Sequence, residues 1–277
     1  IKGRIKLDNT SLPFKDERYE YWSKTTKKGN YSLKVRKRIG SKKEEIYWDG
    51  NKEKKKHNSS FFSTGSVTVS PNDKFLAYSL DLKGSEYYTI YIRSISDKKI
   101  ISKPIKDTSG SITFSPDNKY IFYSKLDKNH RPKTIYRHKI GDKKSSDELI
   151  YKENNERFGV GIGLSSDEKY FFIVSGDHTT TEISYFSSNA NKPKPILFKK
   201  SKQDINYSLN SWNNYFYIHT NENAEDFKIC RCKHNDIHNW EDVVPAKKGV
   251  LVGGITMLKN WEIRSEISNA LPKLFVK

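Results

Sequence analysis

The serines of the chain are the first place to look for chemistry. A serine hydrolase exposes its nucleophile in a Gly-x-Ser-x-Gly turn between a strand and a helix, and this pattern occurs nowhere in the 277 residues. Serine follows glycine at Gly65-Ser66, Gly84-Ser85 and Gly110-Ser111, each time without the flanking pattern. We therefore interpret these serines as structural and predict no catalytic residue in this chain.

A second candidate is a metal site, because Cys230, Cys232, His234 and His238 lie close together in sequence and are residue types that bind zinc. The two cysteines share one face of a predicted strand, however, which separates their thiolates by about 7 Å. Structural zinc sites usually pair cysteines across a tight turn, and same-side neighbours make a poor disulfide. A zinc site is conceivable, but we favour buried cysteines with exposed loop histidines, and predict no metal and no cofactor.

A glycine run at Gly159, Gly161 and Gly163 suggests a phosphate-binding loop at first sight. It precedes a predicted strand rather than a helix and lacks the third glycine at dinucleotide spacing. We interpret it instead as an inner strand beside the central channel of a repeat fold.

Charge and hydropathy limit the classes of protein to which the chain can belong. The net charge is +18, and lysines cluster early, as at Lys54–Lys56; such a cluster can mark a nucleic-acid surface. Lysines are nevertheless spread along the whole chain, and no sequence-specific RNA-binding or zinc-finger signature accompanies them, so we favour a solvated surface. Because 17 Tyr and 14 Phe alternate with polar residues and no apolar run could cross a bilayer, we expect a globular, cytoplasmic protein without a membrane partner.

An internal repeat must position all of these residues. Near-identical turns begin at Ser70, Ser115 and Ser165, 45 and 50 residues apart, and each is followed by an aromatic strand. This period is typical of propeller blades with four strands each. The sequence therefore predicts an all-β fold, a β-propeller of about five to six blades.

The predicted blades follow an extended N-terminal arm at 1–17, and the incomplete propeller occupies 18–277. The stretch Asn51–Ser60 is expected to be a lysine-rich linker. Because the last blade lacks a fourth strand, we expect self-association or partial disorder after about Val250. The blades are predicted at 18–49, 64–105, 109–153, 157–200, 204–247 and, in part, 250–277.

Short segments along most of the chain resemble the prolyl oligopeptidase family of serine peptidases, and within it the oligopeptidase B, or protease II, group. Together these segments are far more specific than a generic propeller pattern. They are Arg4-Ile5-Lys6, Ser11-Leu12-Pro13, Tyr19-Glu20-Tyr21-Trp22, Ala77-Tyr78 with Asp81 and Gly84, His130-Arg131-Pro132, Tyr136-Arg137-His138, His178-Thr179-Thr180 and Asn221 to Phe227.

The resemblance implies a seven-bladed parent propeller that caps an α/β-hydrolase domain and admits only short peptides, which the parent enzyme cleaves after Lys or Arg. It also implies that the Ser, Asp and His of catalysis lie in the hydrolase part, which is absent from these residues. The chain alone is then expected to be inactive, and its partner is the hydrolase domain, in the same or a separate polypeptide.

Two polar loops are the candidate site under this resemblance. One contains His130 and Arg131, the other His178, Thr179 and Thr180, with Glu182 beside it. Two interpretations stay open: these side chains satisfy loop backbone groups, or they face the hydrolase domain and influence its opening and closing.

The alternative function is a stand-alone propeller scaffold whose lysines bind an acidic protein or nucleic acid. Such binding would weaken steeply with salt, because neutralised charges release counterions.

Overall fold

A computed structural model describes residues 7–142 and 147–277 of the chain. The segment Arg4-Ile5-Lys6 of the family resemblance lies outside these described residues. Nearly all regular structure in the described part is β-strand, with one short helix, α1 (Gly50–His57). The strands are β1 (Phe14–Asp16), β2 (Tyr19–Lys24), β3 (Leu33–Arg38), β4 (Glu44–Asp49), β5 (Ser63–Val69), β6 (Phe75–Asp81), β7 (Tyr88–Ser94), β8 (Ile105–Thr108), β9 (Thr113–Phe114), β10 (Tyr120–Leu126), β11 (Pro132–Lys139), β12 (Glu148–Lys152), β13 (Gly159–Leu164), β14 (Tyr170–Gly176), β15 (Thr181–Ser187), β16 (Ile196–Lys199), β17 (Tyr207–Trp212), β18 (Tyr215–Thr220), β19 (Lys228–Lys233), β20 (Asp236–Val244), β21 (Val250–Leu258), β22 (Trp261–Ser268) and β23 (Leu271–Val276).

The described residues divide into two compact units. The first contains residues 7–112 with 141–142, and in it β1 to β4 and β5 to β8 pair antiparallel in sequence order. The second contains residues 113–140 and 147–277, with the successive antiparallel sets β9–β12, β13–β16, β17–β20 and β21–β23. This pattern of four-stranded antiparallel sets confirms the predicted all-β propeller fold.

The repeated turns have one shared geometry. In each, the serine hydroxyl accepts the N–H of the aromatic residue five positions later, at 2.9 Å for Ser70, 2.9 Å for Ser115 and 3.0 Å for Ser165. The same hydroxyl donates to the side chain two positions later, as from Ser115 to Asp117 at 2.6 Å. The fourth residue of the turn is left-handed, with φ of 61° at Asn118. A buried hydroxyl thus fixes each reversal and the start of the strand that follows.

The lysine-rich stretch expected as a linker does connect β4 to β5, but it contains the helix α1, which the sequence analysis did not predict. Asp49 caps the helix by accepting the N–H groups of Asn51 and Lys52, each at 3.1 Å, as N-terminal caps commonly do. Asn58 ends it in the left-handed conformation. A tertiary contact holds the helix in place, because the buried Glu53 accepts a hydrogen bond from Arg93 at 2.7 Å.

The structure refines the predicted blades in three parts of the chain. β1 comes from the predicted extended arm, where Phe14 pairs with Tyr21. The fourth strand of the second blade, β8, begins at Ile105 and extends past the predicted blade end at residue 105; it follows Pro104, which has no N–H to donate to a ladder. The segment after Val250 forms three paired strands that extend to Val276; self-association remains a prediction.

Cores form between neighbouring sheets within each unit. In the first unit, Trp48 of β4 packs with Leu76 and Tyr78 of β6. In the second, Phe122 of β10 packs with Phe171 of β14, and further clusters join the later sheets in the same way. Sheets with two apolar faces need such neighbours.

Candidate functional site

The candidate loops lie at one end of their sheets. In an antiparallel sheet the connections between second and third strands share an end with the passage to the next sheet. In the three four-stranded sets of the second unit these connections are residues 127–131, 177–180 and 221–227, which together we call the loop end.

The first of these loops presents His130 and Arg131 to solvent. The carboxylate of Asp127 holds it by accepting the N–H groups of Asn129 at 2.8 Å and Arg131 at 3.0 Å. The bond from the Arg131 N–H is the main cause that lowers the pKa of Asp127 below its ordinary value. The Arg131 guanidinium donates to the carbonyl of Glu156 at 2.5 Å. The exposed positive charge of Arg131 is therefore held on an ordered loop.

The second loop separates its candidate residues into exposed and internal ones. His178 and Thr179 are exposed, whereas Thr180 is only 4% exposed. The Thr180 hydroxyl accepts the N–H of Asp204 at 3.1 Å. Glu182 accepts the N–H of Ser201 at 2.9 Å and its hydroxyl at 3.0 Å. Thr180 and Glu182 therefore bind the passage to the next sheet, and His178 and Thr179 are the residues that a partner could reach.

The third loop is joined to the second through Asn206. Asn221 accepts the N–H of Asn206 at 2.8 Å, and the Asn206 side-chain amide donates to the carbonyl of His178 at 3.2 Å. The loops of the sheets β13–β16 and β17–β20 thus form one hydrogen-bonded surface.

Sequence reasoning missed the carboxylates that shape these loops. Asp177 accepts the N–H groups of Thr179 at 3.0 Å and Thr180 at 2.9 Å, and Arg157 donates to it at 2.7 Å. The bond from Thr179 is the largest cause that lowers the pKa of Asp177. The available signal was the aspartate that begins each of the first two loops, since Asp commonly binds backbone N–H groups two or more residues ahead.

The cysteines and histidines considered for zinc have other contacts. Cys230 and Cys232 are 1% and 2% exposed, and burial raises the pKa of each thiol to about 12. The Cys230 thiol donates to Asp242 at 3.1 Å, and His238 is exposed. Within residues 7–142 and 147–277, no cluster of three His, Cys, Asp or Glu side chains could hold a metal ion.

A serine–histidine contact does occur at the opposite, turn end of the sheets. The Oγ atom of Ser211 lies 3.0 Å from Nε2 of His234 and donates to Asp167 at 2.8 Å. Because a carboxylate only accepts, the hydroxyl proton is directed to Asp167 and His234 does not act as its base. Ser211 is 0% exposed, so no substrate reaches it, and the contact joins adjacent blades.

Residues 136–138 of the family resemblance are structural as well. Arg137 lies over the Tyr120 ring at 4.2 Å and donates to the carbonyl of Asn191 at 3.0 Å. His138 is 2% exposed, and its Nδ1 atom lies 2.8 Å from Asp147. These side chains build the blades and are not available to a ligand.

None of the helices in the described part of the chain combines the length and apolarity that a membrane crossing needs.

The four-stranded sheets, repeated turns and loop end define a β-propeller domain. The chain matches the family model described as "Prolyl oligopeptidase, N-terminal beta-propeller domain" over residues 1–277. It therefore belongs to the prolyl oligopeptidase family, which confirms the resemblance.

Similar proteins carry peptidase names. "Protease 2" of Moraxella lacunata is 27% identical over 87% of this chain, and "Dipeptidyl aminopeptidase BI" of Pseudoxanthomonas mexicana is 23% identical over 100% of it. The structure of oligopeptidase B from Leishmania major matches 98% of the chain with a TM-score of 0.92 and 22% identity. The chain spans only 36%, 40% and 39% of the lengths of these three proteins; it corresponds to the propeller domain of a larger peptidase of the family.

Proposed function

We propose that this chain is the gating and size-selecting propeller of an oligopeptidase B-like serine peptidase that cleaves short peptides after Lys or Arg. The observation that carries the proposal is the fold match to the oligopeptidase B propeller at a TM-score of 0.92, together with the family match over residues 1–277. In this proposal a hydrolase domain, in the same or a separate cytoplasmic polypeptide, supplies the catalytic residues.

The loop end supports a gating role. The Trypanosoma brucei oligopeptidase B structure, 23% identical with a TM-score of 0.90, contains covalently bound antipain and is described as a closed form. Closure of one domain on another needs exposed groups held in fixed positions. The exposed Arg131 on the loop anchored by Asp127 has this property.

The decisive experiment compares substrates for the peptidase that contains this propeller, and for the 277-residue chain alone. The substrates are a fluorogenic arginyl dipeptide amide, its alanyl analogue, and a folded protein with a surface arginine. We expect a preference for arginine over alanine in kcat/KM of about 10⁴, as for sites that pair a buried polar group with the substrate. We also expect no cleavage of the folded protein and no turnover by the chain alone. Cleavage of the folded protein, or turnover by the isolated chain, would contradict the proposal.

The candidate residues receive a separate test in the same enzyme. Arg131→Ala is expected to change kcat/KM at an unchanged Tm, because the side chain is exposed. Glu182→Ala is expected to lower the Tm as well, because two bonds from Ser201 are lost. Lys139→Ala, an exposed change on β11 away from the loop end, is the control. Unchanged kinetics in Arg131→Ala would leave the loop end without a gating role.

A further inference from the structure

A groove of about 600 Å³ runs between the outermost strands of two adjacent sheets in the second unit, β16 and β20. Its floor is aromatic. The Phe198 and Trp240 rings stack with centroids 6.0 Å apart at 23°, and the indole N–H donates to the carbonyl of Ile237 at 2.8 Å. Because packing and this bond fix the indole, the floor is formed before any ligand arrives.

The rim of the groove is basic. Residues 192–202 contain five lysines and no acidic residue. The carboxylate in the lining, Glu222, already pairs with Lys199, whose ammonium lies 4.4 Å from the Trp240 ring centroid. Lys200 also lines the groove and is exposed, and no ion pair among the described residues involves it. The surface therefore has an apolar floor beside uncompensated positive charge.

Two kinds of occupant fit this surface poorly. Single-stranded nucleic acid needs free aromatic faces on which bases stack, but Trp240 already packs on Phe198 and under Lys199. An added β-strand needs a long, regular open edge. β16 has only four residues and follows Pro193 and Pro195, and two register shifts interrupt the pairing of β20; short edges, prolines and bulges all discourage strand addition.

We propose that this groove binds an acidic peptide segment of a partner protein, one that packs an apolar side chain against Leu197 and Ile237 beside Trp240 and pairs its carboxylates with Lys200 and its lysine neighbours. The groove is smaller than a standard interface, so the binding is expected to be weak and transient. The groove adjoins the loop end, since Glu222 and Asn223 belong to both, but the peptide binding proposed here does not depend on the proposed peptidase function.

The test measures fluorescence anisotropy of a labelled ten-residue peptide with two central leucines flanked by glutamates. Lys200→Glu is expected to weaken its binding about tenfold, since it reverses a charge in a partly desolvated contact. The matched control, Lys259→Glu, makes the same charge change at an exposed turn outside the groove and is expected to weaken binding less than about twofold. Trp240→Ala, with its Tm recorded, should also weaken binding, and replacing the glutamates with glutamines should abolish it.

Several results would overturn the assignment. Equal loss in Lys200→Glu and Lys259→Glu would show diffuse attraction to the net charge. Equal or tighter binding of a twelve-nucleotide oligothymidylate would identify a nucleic-acid surface instead. Light scattering that shows a dimer of this chain, lost in Lys200→Glu, would assign the groove to a second copy. Absence of peptide binding to the wild-type chain would remove the proposal altogether.

Discussion

The buried ion pair between Glu53 of α1 and Arg93 of β7 gives the sharpest stability prediction for the first unit. The Oε1 atom of Glu53 accepts from Arg93 at 2.7 Å and from Lys56 at 2.8 Å. The Glu53 and Arg93 side chains are only 4% and 6% exposed, whereas Lys56 is 58% exposed. Glu53→Ala therefore leaves a buried guanidinium without its carboxylate.

The expected loss follows from what Arg93 retains. It still donates to the carbonyl of Tyr47 at 3.0 Å and lies against the rings of Trp48 and Tyr78. Breaking a buried pair costs about 3–5 kcal/mol, and these remaining contacts favour the lower end, about 3 kcal/mol. At roughly 2–4 °C per kcal/mol this lowers the Tm by about 6–12 °C. Lys56→Ala, the control, removes an exposed partner and costs less than about 1 kcal/mol.

The same carboxylate gives a pH dependence with a defined sign. Burial alone would raise the pKa of Glu53, but the bonds from Lys56 and Arg93 outweigh burial and lower it below the ordinary 4.5. The pair therefore stabilises the fold fully above pH 4.5 and loses that stabilisation as the pH falls through the lower folded-state pKa. Urea unfolding of wild type and Glu53→Gln from pH 3 to 7 measures this, and the two curves should converge at low pH. A Glu53→Ala variant as stable as Lys56→Ala would refute the reasoning.

Two further predictions concern the second unit. Ser115→Ala removes the acceptor of the Tyr120 N–H in a repeated turn and should lower the free energy of unfolding in urea by about 1–2 kcal/mol. The control, Ser208→Ala, changes an exposed serine and should cost less than about 0.5 kcal/mol. Equal losses would mean that the turn hydroxyl is not structural. Cys230 and Cys232, whose buried thiols have a pKa of about 12, should resist iodoacetamide at pH 8 in the native chain and react in urea; native labelling within minutes would contradict their burial.

The repeat allowed the sequence to predict the blades, because strand alternation and turn chemistry are local. The last blade was expected from residue 250 onward, and β21 begins at Val250 and pairs with β22 up to Leu258 and Trp261. The helix α1 was missed for the opposite reason. Its composition is that of a linker, and the contact that orders it, from Glu53 to Arg93, spans 40 residues.

The candidate site could likewise be predicted only where its structure depends on residues close together in sequence. His130, Arg131 and His178 were correctly placed on loops, because loops are polar and follow strands. The inward roles of Thr180 and Glu182 depend on Asp204 and Ser201, about 20 residues away. No local pattern shows that partnership.

The two ends of each sheet differ in what fixes their sequence. The turn end repeats one arrangement in three of the sheets, a buried serine that accepts a backbone N–H at Ser70, Ser115 and Ser165, because these three reversals have the same geometry. The loop end repeats only the aspartate that begins its first two loops, at Asp127 and Asp177. Its other contacts differ from loop to loop, as Arg131 binds Glu156 and Glu182 binds Ser201. Because most loop-end residues need not follow the repeated sequence, they can vary to fit a partner. Substitutions of exposed loop-end residues should therefore change selectivity, whereas substitutions at the turn end, or of the inward-facing Thr180 and Glu182, should change stability.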